Sequence, residues 1–229
     1  MNKRESVKLL LAIALLIPAG VSAQKKIYTR SYRLQDLNTC TTRIVLDGPD
    51  ALVASMRDDV TSIWSISPYE FCSPEEYEQQ KKNPSLYFLH PVTDKGIVYL
   101  EYCKGGDEKS TDPLNTPMSI ISFPVCGEHD ESSLSYLPAF LSIIQDYAEA
   151  ATNSEAAAYL GIETVKRSRP RGLKVCKQPD ECMRAFIAGD PLLAVQVVIT
   201  PDGSESGKPR HTIVFNAESF DLYSYKKAK

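Results

Sequence analysis

Two stretches of the chain repeat one local design, and they narrow the possible folds more than any other feature. Ile44 to Met56 and Lys174 to Phe186 align without a gap: Val45/Val175, Pro49/Pro179 and Asp50/Asp180 are identical, and apolar side chains coincide at Leu46/Cys176, Leu52/Cys182, Val53/Met183 and Met56/Phe186. Each reads as a short strand, a turn and a helix with proline at its first position. Proline's fixed φ and missing N–H are tolerated there, and the aspartate behind it suits the positive end of the helix dipole. Each stretch then returns to an apolar segment, Ile63-Trp64-Ser65-Ile66 in the first and Leu192 to Thr200 in the second. Strand, helix and returning strand make a βαβ unit, here twice. The expectation is an α/β (or α+β) fold, a mixed sheet built from two similar βαβ units with helices packed on it. Duplication and the apolar spacing common to all βαβ units both explain the likeness.

The remaining segments are placed around these units. Lys26 to Leu34 alternates loosely and reads as an opening strand, while Leu52, Val53, Met56 and Val60 line one face of the first unit's helix. Ser73-Pro74-Glu75-Glu76 is a capping box with proline at the first helical position, which predicts a helix over 74–82. A hairpin is predicted from 86–89 and 97–102 around the turn 93–96, followed by a polar loop from Lys104 to Pro117. The strand 120–125 contains Pro124 and is expected to lie at an edge or to end there. Leu137, Phe140, Leu141, Ile144, Tyr147, Ala148 and Ala151 recur at helical spacing and predict a helix over 136–152, with a shorter one from Asn153 or Ser154 to Leu160. Strands at 211–215 and 222–225 close the chain, with Lys226, Lys227 and Lys229 as a frayed tail. Residues 24–229 are expected to form a single α/β domain, its halves 24–132 and 166–229 joined by a helical connector, 133–165. Both units should share one sheet, because neither half has enough strands to bury a sheet alone.

The first residues point to a compartment. Lys3, Arg4 and Lys8 precede an apolar run from Leu9 to Ile17, and Val21-Ser22-Ala23 supplies a small-residue cleavage site before Gln24. This is the pattern of a signal peptide over 1–23. The run is too short for a membrane span, which takes about 20 residues. The protein is therefore expected to be exported, periplasmic or secreted, with no stable membrane insertion. The leader carries Lys3, Arg4, Lys8 and Glu5, so the 26 basic and 29 acidic side chains fall to 23 and 28, a net charge of −5. That balance argues against a general affinity for nucleic acid.

The chemistry-bearing residues assign no catalytic, cofactor-binding or metal site, and no cofactor is expected. Phosphate binding at the two strand–helix junctions is disfavoured, since Asp47-Gly48-Pro49-Asp50 and Gln178-Pro179-Asp180 put carboxylates and a proline where glycine N–H groups are needed. Cys126-Gly127-Glu128-His129-Asp130 gathers potential metal ligands, but without a second ligand pair at metal-site spacing. His90, His129 and His211 belong to no metal or catalytic motif. Cys72 precedes a helix N-terminus, where Glu70, Glu75 and Glu76 oppose a thiolate. Six cysteines, at 40, 72, 103, 126, 176 and 182, form no Cys-x-x-Cys pair. Cys176 and Cys182 stand where the first unit has Leu46 and Leu52, positions expected to touch, so a disulfide between them is predicted. The alternative is a pair of buried thiols doing the leucines' packing.

Trp64, Ser67-Pro68-Tyr69-Glu70-Phe71-Cys72, Leu86-Tyr87-Phe88-Leu89, Leu137-Pro138-Ala139 with Ile144-Gln145-Asp146-Tyr147, and Asn216-Ala217-Glu218 with Leu222-Tyr223 carry a family likeness. Across most of the chain after the leader, the sequence resembles an uncharacterised family of exported proteins from Bacteroidales-type bacteria. The resemblance implies export and carries no activity. Two functional readings stand: an exported, non-catalytic binding or envelope-associated protein for a protein or small-molecule ligand, or an exported thiol-dependent hydrolase or other enzyme pairing Cys72, Cys103 or Cys126 with a histidine. The absence of a catalytic motif and the chain's 12 tyrosines favour binding.

Overall fold

The computed structural model describes residues 28–204 and 209–228. The leader over 1–23 and its cleavage before Gln24 lie outside the described residues, as do Lys26 and Ile27. The chain forms an α/β structure with two mixed sheets. The first has the order β2-β1-β3-β4-β5, from β1 (Thr42–Val45), β2 (Tyr69–Cys72), β3 (Tyr87–Asp94), β4 (Ile97–Lys104) and β5 (Met118–Gly127). The second has the order β6-β7-β8-β9, from β6 (Lys174–Cys176), β7 (Leu193–Ile199), β8 (Arg210–Asn216) and β9 (Leu222–Ala228). Six α-helices accompany them among the described residues: α1 (Arg30–Arg33), α2 (Asp50–Ile63), α3 (Pro74–Gln80), α4 (Leu137–Asn153), α5 (Glu155–Leu160) and α6 (Pro179–Ala188).

Both βαβ units are present, with β1 parallel to β2 and β6 parallel to β7. The common sheet expected of them is not. The two sheets are linked by a main-chain hydrogen bond, the His129 N–H donating to Pro201 O at 2.9 Å, and by packed side chains. Phe140 on α4 lies 5.5 Å from Phe123 on β5 and 6.2 Å from Phe215 on β8, ring centre to ring centre. One buried apolar cluster thus runs from Leu34 to Leu222. The units also sit differently: β1 is interior to its sheet, between β2 and β3, whereas β6 is an edge and its return strand β7 is interior.

Tertiary hydrogen bonds redraw several local expectations. The opening strand is instead a helical turn, α1. Thr29 Oγ1 accepts from Tyr32 N at 3.3 Å, and the Glu155 carboxylate, from α5, accepts from Arg30 N at 3.1 Å and Ser31 N at 2.8 Å. These bonds satisfy the orphan donors of a helix start. The first unit's return strand was expected at 63–66 but runs from Tyr69 to Cys72. Gln145 on α4 explains the shift: its Oε1 accepts from Ser65 N at 2.7 Å and Ile66 N at 3.1 Å, and its Nε2 donates to Ile63 O at 3.2 Å, so those backbone groups are already committed. Pro49 stands one position outside α2. Lys226 and Lys227 are not frayed but belong to β9.

Other features follow the sequence directly. Ser73 and Glu76 form the capping box. Lys95 and Gly96, with φ of 53° and 78°, make the two-residue turn between β3 and β4, the geometry that matches strand twist in a tight hairpin. Pro124 lies in β5, an edge strand, which does not end there but continues to Gly127. Trp64 is buried, with Nε1 donating to Ser67 Oγ at 3.1 Å. No helix among the described residues is long and apolar enough to cross a membrane.

Candidate functional site

Alternation along β3 and β4 puts Phe88, His90, Glu101 and Cys103 on one face of the first sheet, since Phe88 is opposite Cys103 and His90 opposite Glu101. Helix α3 crosses this face. Its capping box fixes the helix start, and Tyr77, one turn in, lies 5.1 Å from the Phe88 ring and 4.8 Å from the His90 ring. The loop after β4 closes the other side, with Gly105 N donating to Leu86 O at 2.9 Å and Gly106 N to Lys81 O at 3.0 Å. A Cβ at Gly105 would fall 2.3 Å from Asn83 O, so only glycine lets the loop come this near the end of α3. Between helix and loop lies a cleft of about 370 Å³ with Tyr77, Phe88, Cys103 and Pro117 in its wall. Its size is that of a small-molecule site.

Four lysines and two carboxylates line the rest: Lys81, Lys82, Lys104 and Lys109, with Asp107 and Glu108. Lys81 pairs with Glu78 at 2.6 Å and Lys82 with Asp107 at 4.0 Å. Lys104 is buried, and its ammonium donates to both Asp36 carboxylate oxygens at 2.7 Å and to Arg33 O at 2.8 Å. Among the described residues Lys109 forms no ion pair, which makes it the rim cation open to a ligand.

Asp36 also accepts from Tyr87 Oη at 2.6 Å. Partial burial pushes its carboxyl up, but the Lys104 and Tyr87 hydrogen bonds outweigh burial and hold it below its ordinary value. Asp36→Asn is expected to cost about 1–2 kcal/mol in urea denaturation, because Lys104 would keep a neutral acceptor but lose its counter-charge. An unchanged unfolding midpoint would refute this.

The structure does not assemble a thiol nucleophile from the residues the sequence offered. Cys103 shares a face with His90, but the imidazole is stacked under Tyr77, whose hydroxyl is 3.5 Å from Nε2. Burial, then Glu101, push the Cys103 thiol up to about 12. Burial with Glu131 and Asp130 does the same at Cys126, and burial raises Cys72 against the opposing Arg43. Thiols so shifted hold almost no thiolate at neutral pH. His129 sits in the turn after β5, and no group of three potential ligands among the described residues is placed to hold a metal ion. His211 is sealed between Tyr99 and Tyr225, whose hydroxyls lie 2.9 and 3.0 Å from its ring nitrogens. The bridge expected between Cys176 and Cys182 is not formed in this structure. Both are buried free thiols, and Cys182 Sγ donates to Gln196 O at 3.7 Å, so they take the packing role of the leucines they replace.

The cleft was not visible in the sequence. Its signals were the capping box, the Lys81-Lys82 pair closing that helix and the Gly105-Gly106 pair after a strand, but only the fold brings the three together. No family model, curated protein or solved structure matches this chain.

Proposed function

We propose that the chain is an exported binding protein without catalysis of its own, and that the cleft between α3 and the loop after β4 takes a small aromatic anion. The carrying observation is the pairing of a half-buried aromatic side chain, Tyr77, backed by the fully buried Phe88, with a lysine rim on which Lys109 is uncommitted. A ligand ring packs on Tyr77, and its acid group meets Lys109. The leader-like residues 1–23 support export, and the raised thiols weigh against the hydrolase alternative.

Titration calorimetry with phenyl phosphate and 4-hydroxybenzoate, against benzyl alcohol as a neutral control, tests the reading. Saturable binding of at least one anion is expected, weakened roughly fivefold by Lys109→Ala, the worth of one exposed charge contact. Heats indistinguishable from dilution for both anions, or equal binding of the neutral control, would overturn it.

A further inference from the structure

The second sheet has two unlike faces. Cys176, Val195, Val197, Ile199, Ile213 and Phe215 turn inward and are buried or nearly so. Helix α6 covers that side, its Phe186 ring 6.1 Å from Phe215. The opposite face follows from register. Val175 lies opposite Ala194, Gln196 opposite Val214, Val198 opposite Thr212, and the β9 partners of Val214 and Thr212 are Ser224 and Lys226. Residues directly opposite one another share a face. These side chains are half-buried or exposed except Ala194, and no helix among the described residues lies over them.

On this face runs an open groove of about 490 Å³, lined by Arg169, Lys177, Val175, Val214, Gln196 and the Tyr223–Ser224 pair. Arg169 comes from the stretch 166–171, in which four of the six residues are basic. In the fold it is pinned: Arg167 N donates to Leu222 O at 2.7 Å, and the Arg167 guanidinium pairs with Asp221 at 2.9 Å. The groove thus has cations at its rim, Lys226 further along the same face, and no carboxylate in its lining, on a chain of net charge −3. Such a local inversion of sign selects an anionic partner.

We propose that this open sheet face binds an acidic polysaccharide. A pyranose ring offers an apolar C–H face and a periphery of hydroxyls, and the groove offers shallow valines and Tyr223 beside the hydrogen-bonding groups of Gln196 and Ser224. Uronate carboxylates meet Arg169 and Lys177. A single-stranded nucleic acid would be held by stacking its bases on several aromatic rings, and the groove lining has only Tyr223. An acidic peptide adding to an edge would need pockets for alternate side chains, which a flat face lacks.

Affinity electrophoresis through gels containing polygalacturonate tests the proposal, with dextran, polyglutamate and oligo(dT) gels as controls. Retardation by polygalacturonate alone is expected. It should weaken at high salt and fall roughly tenfold in the Arg169→Glu/Lys177→Glu double variant, the effect of two exposed charge contacts. Tyr223→Ala should weaken it as well, while Lys109→Ala, in the separate cleft, should leave it unchanged. Circular dichroism and thermal melting of the charge-reversed variant establish that it is folded. No retardation, equal retardation by polyglutamate or oligo(dT), or full retention of binding by the folded double variant would overturn the proposal.

Discussion

Phe140→Ala is expected to cost about 4 kcal/mol of stability, more than any other single substitution argued for this protein. Phe140 projects from α4 and is fully buried. Its ring bridges the two sheets from the helix, 5.5 Å from Phe123 and 6.2 Å from Phe215, beside the direct ring contacts Phe123–Tyr225 and Tyr99–His211. Phe215 in turn packs against Tyr136 and Phe186. Truncation removes the transfer energy of the ring and leaves a void walled by side chains from two sheets that share no strand pairing to pull them inward. Urea unfolding followed by Trp64 fluorescence and by far-UV circular dichroism measures the effect. Trp64 reports on the first sheet, since its ring meets Tyr102 edge-on at 5.3 Å. Both probes should move together to a lower midpoint, and Phe140→Leu, which keeps most of the volume, should cost only about 1 kcal/mol. A loss below 1.5 kcal/mol for the alanine variant would mean that the junction closes over the void and that Phe140 is not what couples the sheets.

Elements whose cause is local were legible in the sequence. The seven apolar positions of α4 recur every three or four residues and cannot be satisfied by a strand, so the helix lies within a residue of its expected bounds, at Leu137–Asn153. The capping box of α3 and the Lys95-Gly96 turn are likewise written in a few adjacent residues. What escaped depends on partners far along the chain. Ser65 and Ile66 have strand-like neighbours, but Gln145 takes their N–H groups, and no pattern near residue 65 encodes that. The start of α1 is held by Glu155, across more than a hundred residues. The two βαβ units share spacing and identities, yet one buries its first strand and the other its return strand, because the neighbouring hairpins decide which edge is extended. The cleft is of this second kind. Its lysines and glycines look like surface and loop residues until α3 is laid across β3 and β4.

Acidification from pH 6.5 to about 4 is expected to remove on the order of 2–3 kcal/mol of stability through His211 alone. This imidazole has no exposed surface, and its pKa is lowered from 6.5 to about 4, first by burial and then by the nearby Lys227. The groups facing it are Tyr99 from β4 and Tyr225 from β9, with Lys227 opposite it in the β8–β9 register. A neutral imidazole suits this setting, since one ring nitrogen donates to a phenol and the other accepts from one. An imidazolium would bring a second cation next to Lys227 with no carboxylate among these neighbours to offset it. In the window between the two pKa values the unfolded chain takes up a proton that the folded chain refuses. Stability is therefore complete above pH 6.5 and declines as pH falls toward 4. Asp59 acts in the opposite sense over an overlapping range, because burial and then Asp58 push its carboxyl up to about 6 and the folded chain binds that proton first. The measurement is accordingly a comparison of urea unfolding free energies for the wild type and His211→Gln across this range. Glutamine keeps one donor and one acceptor but does not titrate, and it leaves Asp59 untouched. The wild-type curve should fall more steeply with acid than the variant's, the gap between them closing by 2–3 kcal/mol; parallel curves would show that the buried histidine is not the acid-sensitive joint between the two sheets.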